Sequence, residues 1–395
     1  MQRFFTPFLR STNGHRYPFL RRRYHELSFL SHGEPSDVLE YRSDRSDVIH
    51  AKARDGMVQV KMMYAPWNPA DVNTVQGKYP SPDDNKNKKT TADLAKSLHF
   101  DKQYQVAGSE GLGRVMSSSS HLFREGSLVA MGTPGTGTLR SHTCVPESSL
   151  LQVPEELLSQ LGPSGCTLFQ LGGTALRMLS DFVSLQPGEV VLQNAGNSGV
   201  GFLASQLSRA LFSCPIVSIV RRGSKTDDEY NQLVQYLTTT AKCAMVIDEE
   251  ELLKDRDALK AFQLKLAELS ATNKLPRLAL NAVGGVSAKL LLKCLDTGGT
   301  MVTYGGMSME PVVVATPQLI FKDLHVVGYW HSRWMVGNSQ ETRQQMIDEL
   351  VGAVLQQQVE SPPIEVFRLK EISKALESGA NQGPVRKKIV FDCSE

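Results

Sequence analysis

Six short apolar runs, each separated from the next by enough chain for a helix, occupy the second half of the sequence. They are Val190-Val191-Leu192, Ile216-Val217-Ser218-Ile219-Val220, Met245-Val246-Ile247, Leu278-Ala279-Leu280, Met301-Val302-Thr303-Tyr304 and Val326-Val327. Continuous and β-branched rather than alternating with polar residues, they read as strands buried on both faces of a parallel sheet. Between the first two, Val200, Leu203, Ala204, Leu207, Ala210 and Leu211 make one apolar stripe of a helix packed on a sheet. The pattern predicts an α/β fold with a doubly wound, parallel six-stranded Rossmann sheet.

The region 45–165 has a different texture. Short stretches such as Val58-Gln59-Val60-Lys61-Met62-Met63 alternate, and Pro66, Pro69, Gly77 and Pro80 interrupt the chain. That is the pattern of a compact, mostly β domain. After the parallel sheet, helical patterns return at about 340–357 and 369–378, and Lys387-Lys388-Ile389-Val390-Phe391 reads as a final strand. The expected division is 36–177 and 331–395 together as a catalytic domain, with 178–330 inserted between them as the nucleotide-binding domain. The cleft between the two is where a site is expected. A polar, lysine-rich stretch at 80–104 reads as an exposed insertion near that cleft.

Composition narrows the function. Lys and Arg number 43 against 41 Asp and Glu, so no net field favours wholesale nucleic-acid binding. No apolar run approaches the roughly 18–20 residues of a spanning helix. The six cysteines (Cys144, Cys166, Cys214, Cys243, Cys294, Cys393) lie 22 residues or more apart, which disfavours a zinc lobe and reads as buried free thiols. Residues 1–25 carry Arg3, Arg10, Arg16, Arg21, Arg22 and Arg23 and no acid, with Phe4, Phe5, Phe8 and Leu9 near the start. This is a mitochondrial transit-peptide composition, and 1–35 is set aside as leader.

The first strand of the series runs into Asn194-Ala195-Gly196-Asn197-Ser198-Gly199-Val200-Gly201. A strand, a glycine-rich turn and a helix N-terminus bring backbone N–H groups up to a pyrophosphate. The spacing G-x-x-G-x-G is weak alone; its place on the first strand strengthens it. The second strand ends in Arg221-Arg222-Gly223-Ser224-Lys225, with no acid before Asp227. NAD sites put a carboxylate there for the ribose 2′-hydroxyl, whereas these cations suit a 2′-phosphate. NADPH is the expected cofactor.

Four blocks here, Q-N-A-G-N-S-G-V-G (193–201), L-A-L-N-A-V-G-G (278–285), G-G-T-M-V-T-Y-G-G-M (298–307) and F-K-D-L-H-V-V-G-Y-W (321–330), resemble the mitochondrial trans-2-enoyl thioester reductases. These are zinc-independent medium-chain dehydrogenase/reductases. The segment A-P-W-N-P-A-D-V-N-T-V-Q-G-K-Y-P (65–80) is similar to another block of that family, and the likeness spans about 50–391. The resemblance implies a Rossmann domain inserted in a GroES-like catalytic domain. It also implies NADPH-dependent reduction of an enoyl-CoA or enoyl-acyl-carrier-protein to the saturated thioester, the last reductive step of mitochondrial fatty-acid synthesis in the matrix, by a homodimer.

Tyr79 matches the family's catalytic tyrosine. A phenol can donate to the developing enolate oxygen and assist protonation of the α-carbon; outside that block, a lone tyrosine would read as a packing residue. By the same transfer Asn197, Ser198, Gly199 and Val200 meet the pyrophosphate, and Arg221 and Arg222 the 2′-phosphate. Tyr304, Gly305, Gly306 and Met307 approach the nicotinamide, Tyr329, Trp330, His331 and Ser332 follow the sixth strand, and Lys387 contacts the cofactor. For Trp330 and His331 plain packing is an equal reading, and Asn68 and Asn73 are left as loop-fixing residues.

The chain has Gly108-Ser109-Glu110 where zinc-dependent relatives have a histidine, and no metal is expected. It departs from its own family too. Leu171-Gly172-Gly173 replaces an Asn-Pro before Thr174-Ala175, and the lip Gly137-Thr138-Leu139 carries leucine for tryptophan, which suggests a different acyl pocket. Two other readings are a quinone or alkenal reductase on the same fold and an NADPH-binding protein without catalysis.

Overall fold

The computed structural model describes residues 24–43, 56–79, 104–133, 135–380 and 383–394. Its six-stranded sheet is parallel throughout, in the spatial order Met245–Asp248, Ile216–Val220, Val191–Asn194, Leu278–Asn281, Thr300–Thr303, His325–Gly328. This is the doubly wound order in which the first strand lies centrally and the chain reverses direction beside it. The apolar runs fix this outcome, since the strands Val191–Asn194, Ile216–Val220 and Leu278–Asn281 are buried at every position. The helix Gly199–Phe212 follows the first strand and buries Phe202, Leu203, Ala204 and Leu207.

The second body is a seven-stranded sheet assembled from distant parts of the chain. Met57–Pro66 is its hub, with Val58, Val60 and Met62 turned inward at every second residue. It pairs antiparallel with Gly111–Ser118, with His142–Pro146 and with Lys388–Asp392. The last strand in turn pairs parallel with Ile364–Arg368, a strand the sequence reading missed. The segments flanking the nucleotide-binding sheet thus share one sheet.

Residues 1–23 lie outside the described residues, but from Tyr24 onward the part set aside as leader is folded. His25–Phe29 is the middle strand of a three-stranded sheet with Glu40–Ser43 and Gln105–Val106, and Leu27 and Phe29 are buried. Absence of acids marks a leader composition, whereas Leu27 and Phe29 are buried positions of a paired strand within it. Of the stretch 80–104 only Tyr104 is described, stacked under the Arg42 guanidinium 3.8 Å away.

The helix Leu168–Ser180 joins the two bodies. Phe169, Leu176 and Leu179 share a core with Leu112, Leu128 and Leu151 of the second sheet and with Leu203 and Leu207 beside the parallel one. Among the described residues no helix is long and apolar enough to cross a membrane.

Candidate active site

The nucleotide cradle is built by close approach. Asn194 ends the first strand, Ala195 takes a left-handed φ of 52°, and Ser198 caps the helix by accepting from Gly201 N at 3.1 Å. A Cβ on Gly201 would lie 2.6 Å from the Ala195 carbonyl oxygen, and one on Gly196 would strike Ser218. Both positions therefore require glycine. Asn197, Ser198, Gly199 and Val200 sit half-buried at the mouth of this turn. Leu171, in place of the family's asparagine, lies against Gly199, where an added Cβ would be 2.7 Å from its Cδ1.

A ladder of buried asparagines sets the level at which the strands end. Asn194 Nδ2 donates to Asn281 Oδ1 at 2.8 Å, Asn194 Oδ1 accepts from Ala282 N at 2.7 Å, and Asn281 Nδ2 donates to Thr303 Oγ1 at 3.1 Å. Sequence reasoning overlooked these residues, although two strands ending in Asn-Ala were a visible signal.

The second strand's basic loop is less free than its sequence suggests. Arg221 is exposed. Arg222 is paired with Asp227 and lies 5.6 Å over the Tyr230 ring. Its backbone N–H donates to Asp248 at 3.3 Å, so an acid from the neighbouring strand faces the loop that the sequence shows only as basic.

Tyr304 follows the fifth strand, and its hydroxyl is buried near Ser198 without a hydrogen-bond partner of good geometry. Burial pushes it up to about 12, partly offset by Ser198. A buried hydroxyl without a partner beside a glycine cradle fits a dinucleotide with polar groups still to be satisfied. Gly305 packs against Ala282, Gly306 is open, and Met307 is exposed.

Tyr79 and the residues after the sixth strand meet across the cleft. Lys78 N and Tyr79 N both donate to the Asn73 carbonyl, at 2.8 and 3.1 Å, which fixes the turn after the helix Pro69–Val75. The Trp330 indole N–H donates to Tyr79 Oη at 2.6 Å, and Ser332 Oγ lies 3.1 Å from the same oxygen. The two rings meet edge-on with centroids 5.8 Å apart. Since an indole N–H only donates, the phenol oxygen accepts there and keeps its own proton for Ser332 or a substrate.

Not every expected residue joins this group. His331 is buried, its Nδ1 is 2.9 Å from Tyr329 Oη, and its ring stacks on Trp334. Burial, with Arg177 nearby, lowers it to about 4. His331 and the Tyr329 side chain therefore pack inward, while Trp330 and Ser332 face Tyr79. Lys387 is exposed, and it is Lys388 that lies beside the buried acids Asp71 and Glu110. Leu139 of the lip is fully buried in the second sheet's core.

A scan against protein-family models finds no match. Curated relatives include the mitochondrial enoyl-(acyl-carrier-protein) reductases of Homo sapiens, 35% identical over 361 residues and covering 90% of this chain and 85% of that one. The one from Dictyostelium discoideum is 32% identical over 379 residues, covering 94% and 97%. Among solved structures, the Etr1p/NADP/crotonyl-CoA complex superposes with a TM-score of 0.79 at 25% identity, covering 94% of this chain and all of that one. The Candida tropicalis 2-enoyl thioester reductase Etr1p/Etr2p heterodimer gives 0.77 at 25%, with coverage of 94% and 100%. A putative NADPH:quinone reductase from Bacillus thuringiensis, at 20% identity and a TM-score of 0.73, shares the fold.

Proposed function

The chain belongs to the mitochondrial enoyl-(acyl-carrier-protein) reductase family within the medium-chain dehydrogenase/reductases, and on that premise we infer an NADPH-dependent enoyl thioester reductase. The observation that carries the assignment is the Tyr79 hydroxyl held across the cleft by Trp330 and Ser332. When bound, NADPH supplies the hydride for the β-carbon of the unsaturated acyl group.

The chain's own residues do the rest. The turn Asn197–Val200 and the helix behind it receive the pyrophosphate, and Arg221 with Arg222 the 2′-phosphate. Tyr304 to Met307 and the chain from Tyr329 to Ser332 border the nicotinamide end, and Lys387 reaches the cofactor from just before the final strand. As charge develops on the thioester oxygen, the Tyr79 phenol donates to it and assists protonation of the α-carbon. Trp330 keeps the phenol oxygen as acceptor on one side, so its proton is left for Ser332 or the substrate.

Replacing Tyr79 with Phe is expected to lower turnover of NADPH with crotonyl-CoA about 10²–10³-fold, in the range for loss of one preorganised donor. NADPH affinity should stay near wild type. Wild-type turnover in that variant would remove Tyr79 from the mechanism.

The working unit proposed is a homodimer. The edge strand His325–Gly328 is largely exposed, and Ile320 and Phe321, just before it in sequence, are 66% and 78% exposed. A strand edge unpaired among the described residues and preceded by apolar side chains suits a second copy; sedimentation as a monomer at micromolar concentration would count against it. The mitochondrion, and within it the matrix, is the proposed compartment, with the Arg-rich start as leader. Failure of a fused reporter to enter mitochondria would reject that role.

A further inference from the structure

Behind Tyr79, and not touching it, four distant segments converge on a buried cluster of charged and polar groups. Asn68 precedes the helix Pro69–Val75, whose end holds the Tyr79 turn. Its amide donates both hydrogens, to Glu110 Oε2 at 2.8 Å and to Gln170 Oε1 at 2.7 Å. Glu110 Oε1 accepts from Gln170 N, at the start of the helix that joins the two bodies, at 2.5 Å. Asp71 Oδ2 accepts from Asn68 N at 2.8 Å and Asp71 Oδ1 from Ser109 Oγ at 2.7 Å. Asn68, Asp71 and Glu110 are all at least nine-tenths buried.

The titratable groups facing Glu110 come from three elements: Asp71 on the short helix, Lys388 on the last strand and the Cys166 thiol. Burial raises Glu110 to about 7 and Asp71 to about 6 against the pull of Lys388, and burial lowers Lys388 to about 8. Burial pushes the Cys166 thiol well up, so it stays neutral through this range. Each oxygen of Glu110 thus accepts from a donor that ties the Tyr79 helix to the joining helix. Protonation turns one oxygen into a hydroxyl facing a donor and weakens that bond, leaving the direct bond from Asn68 to Gln170 Oε1 as the remaining link.

Resting on the reductase reading above, we propose that Glu110, acting through Asn68 and tuned by Lys388, is a positioning residue that holds Tyr79 in line with Trp330 and Ser332 only when ionised. A shift of about an ångström at a reacting group can cost up to about 100-fold in rate, so the tie has leverage on turnover. Turnover therefore falls as the pH drops through the titration of Glu110, while the nucleotide cradle, built from other residues, keeps its affinity.

The test measures kcat against pH with NADPH and crotonyl-CoA, alongside NADPH affinity, on the full chain. Glu110→Gln places an amide N–H₂ against one of the two donors. Its kcat at pH 8 should fall about 10- to 100-fold, to the level wild type reaches in acid, with the acid limb gone and NADPH affinity unchanged. Lys388→Met removes the cation that favours the carboxylate, so the acid limb should move to higher pH. In a Tyr79→Phe background Glu110→Gln should cost nothing further, because both act on one group.

Wild-type kcat in Glu110→Gln, an unmoved acid limb, a Lys388→Met limb displaced to lower pH, or full additivity with Tyr79→Phe would each overturn the proposal. If Glu110→Gln yields no folded protein, the direction of the Lys388→Met shift decides. Failure of the underlying reading looks different, since Tyr79→Phe itself would then turn over normally.

Discussion

The two sheets of this protein solve the same problem of burial with opposite logic. The inner strands of the parallel sheet, Val191–Asn194, Ile216–Val220 and Leu278–Asn281, are buried on both faces, and each strand of that sheet is joined to the next through helix that intervenes in sequence. The glycine cradle, its Ser198 cap and the basic loop lie within about thirty residues of one another for that reason. The second sheet is stitched from residues 57–66, 111–152 and 364–392, and its chemistry depends on contacts such as Tyr79 to Trp330, 251 residues apart. The glycine cradle and the basic loop are a local feature of this chain, whereas the contacts of Tyr79 belong to the assembled molecule.

The largest test of that contrast is Phe391→Ala. Phe391 is fully buried in the last strand, paired with Ala65 on one side and Phe367 on the other. Its removal should destabilise the fold by about 3–5 kcal/mol, read by thermal or denaturant unfolding. NADPH affinity of the protein that remains folded should stay within about twofold of wild type, because the cradle shares no partner with Phe391. A parallel collapse of NADPH affinity would show that the cradle leans on the distant sheet and would break the comparison.

The same contrast decides what could be read from sequence. All six strands of the parallel sheet were visible, with ends displaced by a residue or two, because each carries a continuous apolar run, which in the inner strands reflects burial on both faces. The strand Ile364–Arg368 escaped notice although Ile364, Val366 and Phe367 stand just after Pro362-Pro363; five residues of mixed alternation do not announce a partner. His25–Phe29 was hidden by the arginine-rich stretch before it. In the site, the glycine turn stood out by its place at the end of the first strand, its spacing being weak alone, but Tyr79 stood out only by likeness of a whole block. The tie from Glu110 through Asn68 to Gln170 spans three segments, and no local pattern encodes it.

An intermediate effect is expected in the basic loop. Replacing Arg221 and Arg222 together with Ala should weaken NADPH about 10- to 100-fold, the worth of charge-assisted bonds to a phosphate, and leave NADH nearly untouched. Equal losses for both cofactors would mean the loop shapes the cradle rather than reading the 2′-phosphate. Cofactor choice would then depend on wider structure, as catalysis does.

The smallest effect separates the two arginines. Arg222 is already engaged by Asp227, whose side chain is 83% exposed, while Arg221 is exposed on the same loop. A 2′-phosphate meeting Arg222 must share it with that carboxylate or displace it, and the two anions repel. Exposed ion pairs are worth about 0.2–1 kcal/mol, so Asp227→Asn should tighten NADPH only about two- to fivefold. The gain should fade at high salt, where surface charges are screened. NADH affinity should not move, and the helix Asp227–Thr239 should lose a little stability because a carboxylate leaves its first turn. Weaker NADPH binding by Asp227→Asn would mean that the carboxylate holds Arg222 in its working position, with the loop's specificity set by an acid and a base acting as one unit.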